Sequence, residues 1–159
     1  MISSTRLLLS TGALLALLGA PSAFARKALT LPNPCTILPA GSISTAFAVT
    51  TTVKGSLKSQ TTNGQNAKTC VYTVGTGKLQ IEIAPKAFGN GGYGGAPGMV
   101  ASTPSGFGPN AHLLTDKNPR FTFTSLSFFK GPYWAEVWTN GRVSVVHVTA
   151  LAHRLYAKL

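Results

Sequence analysis

Two tryptophans, a glutamate and a histidine near the C-terminal end are the side chains best placed to form a binding site. Trp134, Glu136 and Trp138 alternate along one predicted β-strand, so their side chains share a face. Asn140-Gly141 is typical of a two-residue hairpin turn, and the register it sets places His147 opposite Trp134. Indole rings beside a few polar groups are typical of sites for sugars and peptides. The pattern predicts a ligand-binding surface made of Trp134, Glu136, Trp138 and His147.

A structural interpretation of the same residues stays open. The tryptophan face would then be a second core layer, covered by the glycine-rich loop or the N-terminal helix, with Glu136 paired to a lysine or arginine. The opposite face of the predicted hairpin is smooth and apolar and is expected to pack against a helix. That face carries Tyr133, Ala135, Val137, Ser144, Val146 and Val148.

Catalytic chemistry finds little support in the sequence. The chain has only three carboxylates, Glu82, Asp116 and Glu136, so an acid/base pair requires two of these three to meet in the fold. There is no G-x-S-x-G nucleophile motif. We therefore expect no catalytic residues. The alternative is a hydrolase whose serine and histidine come from distant parts of the chain.

Neither a metal nor a nucleotide cofactor is expected. The three histidines lack the spacing of metal ligands, and there is no C-x-x-C pair. Gly89–Gly94 fits the G-x-G-x-x-G pattern of dinucleotide sites and follows a predicted strand. However, Pro97 and Gly98 exclude the helix whose N-terminus would receive the pyrophosphate. We predict a mobile glycine-rich loop over residues 89–98.

The N-terminal segment has the composition of a secretory signal peptide. Arg6 is a positive n-region, Leu7–Leu18 is apolar but too short to span a bilayer, and Ala23-Phe24-Ala25 fits a cleavage site. Export to the periplasm or the extracellular space follows, without a transmembrane segment in the mature form. The predicted domains are a signal peptide over 1–25, a tether over 26–34 and a single domain over 35–159.

Cys35 and Cys70 are the only two cysteines of the chain. An even number of cysteines in an exported protein predicts a disulfide, with two buried free thiols as the alternative. The bridge would close a loop of 36 residues. A loop of this length stabilises a fold by roughly 4 kcal/mol in the chain-entropy model.

Basic residues greatly outnumber acidic ones. Removal of the signal peptide leaves 13 lysines and arginines against three acids. They are scattered rather than clustered, which argues against specific binding of nucleic acid. A positive field of this kind attracts anionic polymers and lipid headgroups. The expected partners are an anionic envelope polymer or glycan, or another envelope protein, with a merely solvated surface as the alternative.

The remaining chain is divided into short strands and helices. Alternation on either side of Gly75-Thr76-Gly77 predicts a β-hairpin, with Cys70, Tyr72 and Val74 on one face. The other predicted elements are a short helix within 36–48, a strand over 50–53, a polar loop over 54–68, irregular chain over 85–110, a strand over 120–129, a hairpin over 133–149 and a helix over 150–159.

Several motifs together resemble small exported two-cysteine proteins of unknown function from actinobacterial envelopes. They are the Pro-Cys start at Asn33–Leu38, the strand opened by Cys70-Val71-Tyr72 and the segment Gly106–Ala111. The resemblance implies an α+β domain with helices on one face of an antiparallel sheet, and no activity. Pro109-Asn110 replaces the acids usual in that group. We predict a curved antiparallel sheet of about five strands, a short N-terminal helix and a C-terminal helix on one face, and one disulfide.

Overall fold

The protein folds into one antiparallel sheet with helices packed against one side. The computed structural model describes residues 29–49, 53–62, 65–91, 98–118, 123–141 and 144–159. The predicted signal peptide, residues 26–28 of the predicted tether and residues 92–97 of the predicted glycine-rich loop lie outside these ranges. The antiparallel sheet and the C-terminal helix are confirmed, but the described residues form seven strands instead of about five.

The elements follow one another with short connections. Two short helices, α1 (Pro34–Ile37) and α2 (Ala40–Ala46), come first, and α3 (Val145–Lys158) comes last. The strands are β1 (Gly55–Thr62), β2 (Gln65–Val74), β3 (Gly77–Pro85), β4 (Met99–Ser102), β5 (His112–Asp116), β6 (Phe123–Lys130) and β7 (Tyr133–Asn140). A 3-10 helix over Lys86–Gly91 follows β3. In space the strands are ordered β1-β2-β3-β7-β6-β5-β4.

Alternation along the strands gives the sheet two unlike faces. The helix face carries apolar side chains that pack against α1, α2 and α3: Cys70, Tyr72, Leu79, Ile81, Ile83, Leu126, Phe128, Ala135 and Val137. We call the opposite side the distal face. Its central residues are mainly polar or aromatic: Thr69, Gln80, Glu82, Ser125, Ser127, Trp134, Glu136 and Trp138. The hydrophobic core therefore lies between the sheet and the helices.

A disulfide and two hydrogen bonds hold α1 against this core. Cys35 in α1 is bonded to Cys70 in β2, as predicted, with the Cα atoms 5.2 Å apart. The Tyr72 hydroxyl donates to the Leu38 carbonyl directly after α1, and burial raises the pKa of Tyr72 to about 12. The Lys158 ammonium donates to the Ile37 carbonyl over 2.8 Å. The N-terminal segment is thus tied both to the sheet and to α3.

The predicted hairpin over 133–149 is wrong, and the segment after Gly141 forms α3 instead. Strand β7 already pairs with β3 on one side and β6 on the other. It therefore has no free edge for a strand that follows it. Residues Val148, Leu151, Ala152 and Leu155 are fully buried at helical spacing, so burial of this stripe overrides the β-preference of the valines. The true hairpin joins β6 to β7 through Gly131-Pro132.

The polar loop predicted over 54–68 is also wrong, because β1 and the start of β2 form there. In β1, every residue from Gly55 to Thr61 is exposed. A polar edge strand lacks the apolar alternation that reveals a strand in a sequence. Strand β4 similarly lies inside the segment predicted to be irregular. For the strand predicted over 50–53, residues 50–52 lie outside the described ranges and Val53 is not in a strand.

Candidate functional site

The distal face brings two of the three carboxylates of the chain side by side. Glu82 in β3 and Glu136 in β7 are directly paired in the antiparallel register. Residues opposed in this way have Cβ atoms about 4.5–5.5 Å apart. Glu82 is 6% exposed and Glu136 is 5% exposed. The centre of the sheet therefore carries a nearly buried carboxyl pair.

The carboxyl pair lies in the middle of a polar row that crosses six strands. Thr69 is paired with Glu82, and Ser127 is paired with Glu136. The outer ends of the row are two exposed residues, Lys58 in β1 and His112 in β5. Since adjacent strands lie about 4.8 Å apart, the row is about 24 Å long. Its only carboxylates are at the centre, and its basic groups are at the ends.

Glu82 lies among neutral polar side chains. The Gln60 amide donates to Glu82 Oε1 over 3.2 Å. Burial raises the pKa of Glu82, and the side chains of Gln60, Thr69 and Gln80 offset only part of that rise. Thr69 is buried and lies directly opposite Glu82 on the neighbouring strand. Glu82 is therefore biased towards its protonated form.

Glu136 has a different environment, although it lies on the neighbouring strand. The Ser125 hydroxyl donates to Glu136 Oε1. Ser125 and Ser127, the residues of β6 nearest to Glu136, are 1% and 4% exposed. The two carboxyl groups of the pair therefore differ in their surroundings.

We expect Glu82 to make the protein less stable as the pH rises. Its folded-state pKa lies above the ordinary 4.5, so the folded state binds its proton more tightly than the unfolded chain does. The free energy of unfolding should fall from about pH 4.5 up to the raised pKa and then level off. Glu82→Gln should remove this loss. Thermal unfolding of both proteins between pH 4 and pH 8 tests it, with Asp116→Asn as the control.

A difference in stability between wild type and Glu82→Gln that stays constant across this pH range would contradict the prediction. A fall in wild-type stability as the pH is lowered towards 4, absent from Glu82→Gln, would contradict its sign. Asp116 is a suitable control because its carboxylate is not buried and donors near it are local, such as the Asn118 backbone amide at 2.8 Å.

The structure separates the four residues that the sequence predicted to form one surface. Trp134, Glu136 and Trp138 do share the distal face. Trp134 is only 3% exposed, because the 3-10 helix packs against it. A Cβ atom on Gly89 would lie 2.1 Å from the Trp134 indole, so only glycine allows this approach. Trp134 therefore acts as core, as the structural interpretation expected, although the covering segment is the 3-10 helix.

Trp138 remains half-buried on the distal face. It is paired with Gln80 on one side and Ser125 on the other, and it lies two residues along β7 from Glu136. The Phe123 ring is 6.1 Å away, centroid to centroid. An indole in this position presents an aromatic surface directly beside the carboxyl pair.

His147 does not belong to this face, which corrects the predicted site. It lies in α3, on the other side of the sheet, and lines a pocket of about 350 Å³ with Phe47 and Ser144. The Ser144 hydroxyl is 2.8 Å from His147 Nδ1, so a serine and a histidine do meet in a pocket. Ser144 is the N-cap of α3 and His147 is three residues further on. The register places all three carboxylates on the distal face, so none orients the imidazole. The contact joins two side chains at the N-terminus of α3, and the Ser144 side chain makes no capping hydrogen bond to the backbone.

Sequence reasoning missed the contribution of Glu82. The alternation of Leu79, Ile81 and Ile83 already places Glu82 on the opposite face from the core. That signal shows a charged residue on a sheet face, but it does not say which strand lies beside it. The pairing of β3 with β7 supplies the second carboxylate.

Comparison with known proteins does not help to interpret the candidate site. Comparison with protein-family models, with curated proteins and with solved structures finds no match to this chain. Within the described ranges, no three His, Cys, Asp or Glu side chains are grouped so that they could hold a metal ion. In the same ranges, no helix is both long and apolar enough to cross a bilayer. The site must therefore be interpreted from its own residues.

Proposed function

We propose that the protein is an exported glycan-binding protein of the cell envelope or extracellular space. The observation that carries this proposal is the half-buried Trp138 beside the Glu82–Glu136 pair on the face away from the helices. An indole face packs against the apolar side of a sugar ring. Carboxyl and amide oxygens accept hydrogen bonds from the sugar hydroxyls, and amide N–H groups donate to them. Gln80, paired with Trp138, adds an amide to this surface.

The charge of the molecule supports a glycan that belongs to an anionic polymer. Two of the three acids are buried, so Asp116 alone is a carboxylate that is not buried. No described lysine or arginine is buried: Lys54, Lys58, Lys68, Lys78, Lys86, Lys117, Lys130, Arg154 and Lys158. The protein surface is therefore more basic than the composition suggests, and a positive field concentrates anionic polymers near it.

We also propose that the protein is exported and that it is related to the two-cysteine envelope proteins it resembles. The disulfide between Cys35 and Cys70 is compatible with an oxidising compartment. A second candidate function is an interaction or structural domain with no ligand site on this face. The burial of Trp134 under the 3-10 helix favours that candidate, whereas the half-buried Trp138 favours glycan binding.

We expect Trp138→Ala to weaken glycan binding about tenfold, which corresponds to about 1.4 kcal/mol. The loss of the stacked indole is the physical cause. Calorimetric titration with peptidoglycan fragments, teichoic acid and neutral oligosaccharides measures it, at 50 mM and at 500 mM salt. Trp138→Phe should retain most of the affinity. His147→Ala is the matched control, because His147 lies on the other side of the sheet.

Two outcomes would count against the proposal. One is the absence of measurable binding to every glycan in the panel by the folded protein. The other is an equal loss of affinity in Trp138→Ala and His147→Ala, which would place the ligand away from the distal face.

A further inference from the structure

We propose that the open edge of β1 binds an extended, acidic segment of a partner protein, which joins the sheet as an additional strand. Within the described ranges, β1 pairs only with β2, so its other side is an edge of the sheet. Along such an edge, every second residue points its backbone N–H and C=O groups outward. An extended chain can pair with them, a mode of recognition known as strand addition. This inference does not depend on glycan binding at the distal face.

The length and regularity of β1 suit this role. It contains eight residues, and its pairing with β2 runs without a bulge from Gly55 to Thr62. It has no proline, and Lys58 is its only charged residue. The strand at the opposite edge, β4, has only four residues. Very short edge strands, prolines and bulges are among the means by which proteins prevent pairing with another chain, and β1 has none of them.

The side of this edge that faces the helices offers apolar contacts. The register places Leu57 on that side, and its side chain is 45% exposed. Ser59 and Thr61 follow on the same side of the strand. Together with Leu29 and Leu31, they help to line a pocket of about 390 Å³. An aliphatic side chain of an added strand would bury its apolar surface there.

This part of the sheet is basic and contains no acid. Lys58 lies on the distal side of β1, where it is exposed, and Lys54 is exposed directly before β1. Lys68 in β2 adds a third ammonium group, which donates to the Leu31 carbonyl over 2.7 Å. The first acidic residue of the whole chain is Glu82. The N-terminal segment, β1 and β2 therefore carry positive charge and no side-chain carboxylate, which complements an acidic partner.

The two sides of the edge together define the sequence of the partner. Successive side chains of a strand point to opposite faces of a sheet. A strand added to β1 therefore places every second side chain beside Leu57 and the pocket, and the others beside Lys58. Aliphatic and acidic residues in alternation fit this edge. Opposite charges on directly opposed residues stabilise the pairing further.

A second copy of this chain fits the edge less well than an acidic partner does. The chain has a formal net charge of +11, so two copies repel each other at long range. Antiparallel pairing of two β1 strands centred on Lys58 would oppose two lysines directly, and like charges in this position are destabilising. An acidic partner converts both repulsions into attractions.

The experiment uses the disulfide-bonded, isotopically labelled protein and a set of synthetic octapeptides. The first peptide alternates glutamate with leucine, and we expect it to slow hydrogen exchange of the β1 backbone amides and to shift their NMR signals. The second has alanine in place of leucine and should bind about tenfold more weakly, because it leaves the pocket unfilled. The third keeps the same charge but has proline at its central leucine positions. It should not bind, because proline interrupts the ladder of hydrogen bonds.

Lys58→Glu should weaken binding of the glutamate–leucine peptide about tenfold, because like charges then face each other across the new strand pair. Lys117→Glu is the matched control. It makes the same change of net charge at another exposed lysine, directly after β5 and near the opposite edge of the sheet. It should change the affinity by less than about twofold, because salt screens charges at that distance.

The proposal is overturned if the glutamate–leucine peptide does not bind at millimolar concentration, or if it slows exchange only outside β1. Equal losses of affinity in Lys58→Glu and Lys117→Glu, or tight binding of the proline peptide, would show attraction by charge alone and would also overturn it. Sedimentation of the free protein tests the second copy. A dimer whose β1 amides exchange slowly would replace the acidic partner as the occupant of the edge.

Discussion

Removal of the Cys35–Cys70 disulfide is expected to lower the free energy of unfolding by about 4 kcal/mol. The bond joins residues 35 positions apart and restricts the unfolded chain accordingly. It also holds α1 against β2, where Tyr72 and Leu38 make a buried hydrogen bond. Because domains of this size are usually stable by only about 5–15 kcal/mol, the loss is a large part of the total.

Urea unfolding of the oxidised protein and of the Cys35→Ala/Cys70→Ala variant measures this loss. The reducing agent dithiothreitol should shift the unfolding midpoint of the wild type towards that of the variant. It should leave the variant itself unchanged, which controls for other effects of the reagent. Equal midpoints for oxidised and reduced wild type would refute the prediction.

Leu151→Ala is expected to cost about 2–5 kcal/mol. Leu151 lies in the middle of α3 and is fully buried against the sheet. Truncation removes the contacts of its side chain and leaves a cavity between α3 and strands β6 and β7. Chemical unfolding measures the change, and circular dichroism confirms that the variant still folds.

Two valines of α3 provide a matched pair for the same prediction. Val148 is fully buried, whereas Val146 is 73% exposed. Val148→Ala should therefore destabilise the protein clearly, and Val146→Ala should change its stability by less than about 0.5 kcal/mol. A β-strand would place both valines on one face, so equal effects would contradict the helix.

Local patterns predicted those parts of the fold that depend on neighbours in the chain. The turn at Gly75-Thr76-Gly77 and the alternation on both sides of it are confirmed by the pairing of Tyr72 with Leu79 and of Cys70 with Ile81. The division of β7 into two faces is confirmed as well, with Ala135 and Val137 in the core. These features depend on the period of two along a strand, which the sequence displays directly.

The errors arose where the outcome depended on distant strands. Asn140-Gly141 is a strong turn signal, yet both edges of β7 are occupied by β3 and β6. The valines after it therefore pack as a helix. Strand β1 is polar because it is an edge, and an edge gives no apolar pattern. The carboxyl pair depends on the pairing of β3 with β7, for which local sequence carries no signal.

The order of the strands has a consequence for how the molecule assembles. Every strand pair except one joins residues at most 17 positions apart. The exception is β3 with β7, whose partners are between 48 and 62 positions apart. Closing a long loop costs entropy that nearby pairings avoid, so two local meanders can form before they join. Glu82 belongs to one meander and Glu136 to the other. The two carboxyl groups therefore become neighbours only when the two meanders join.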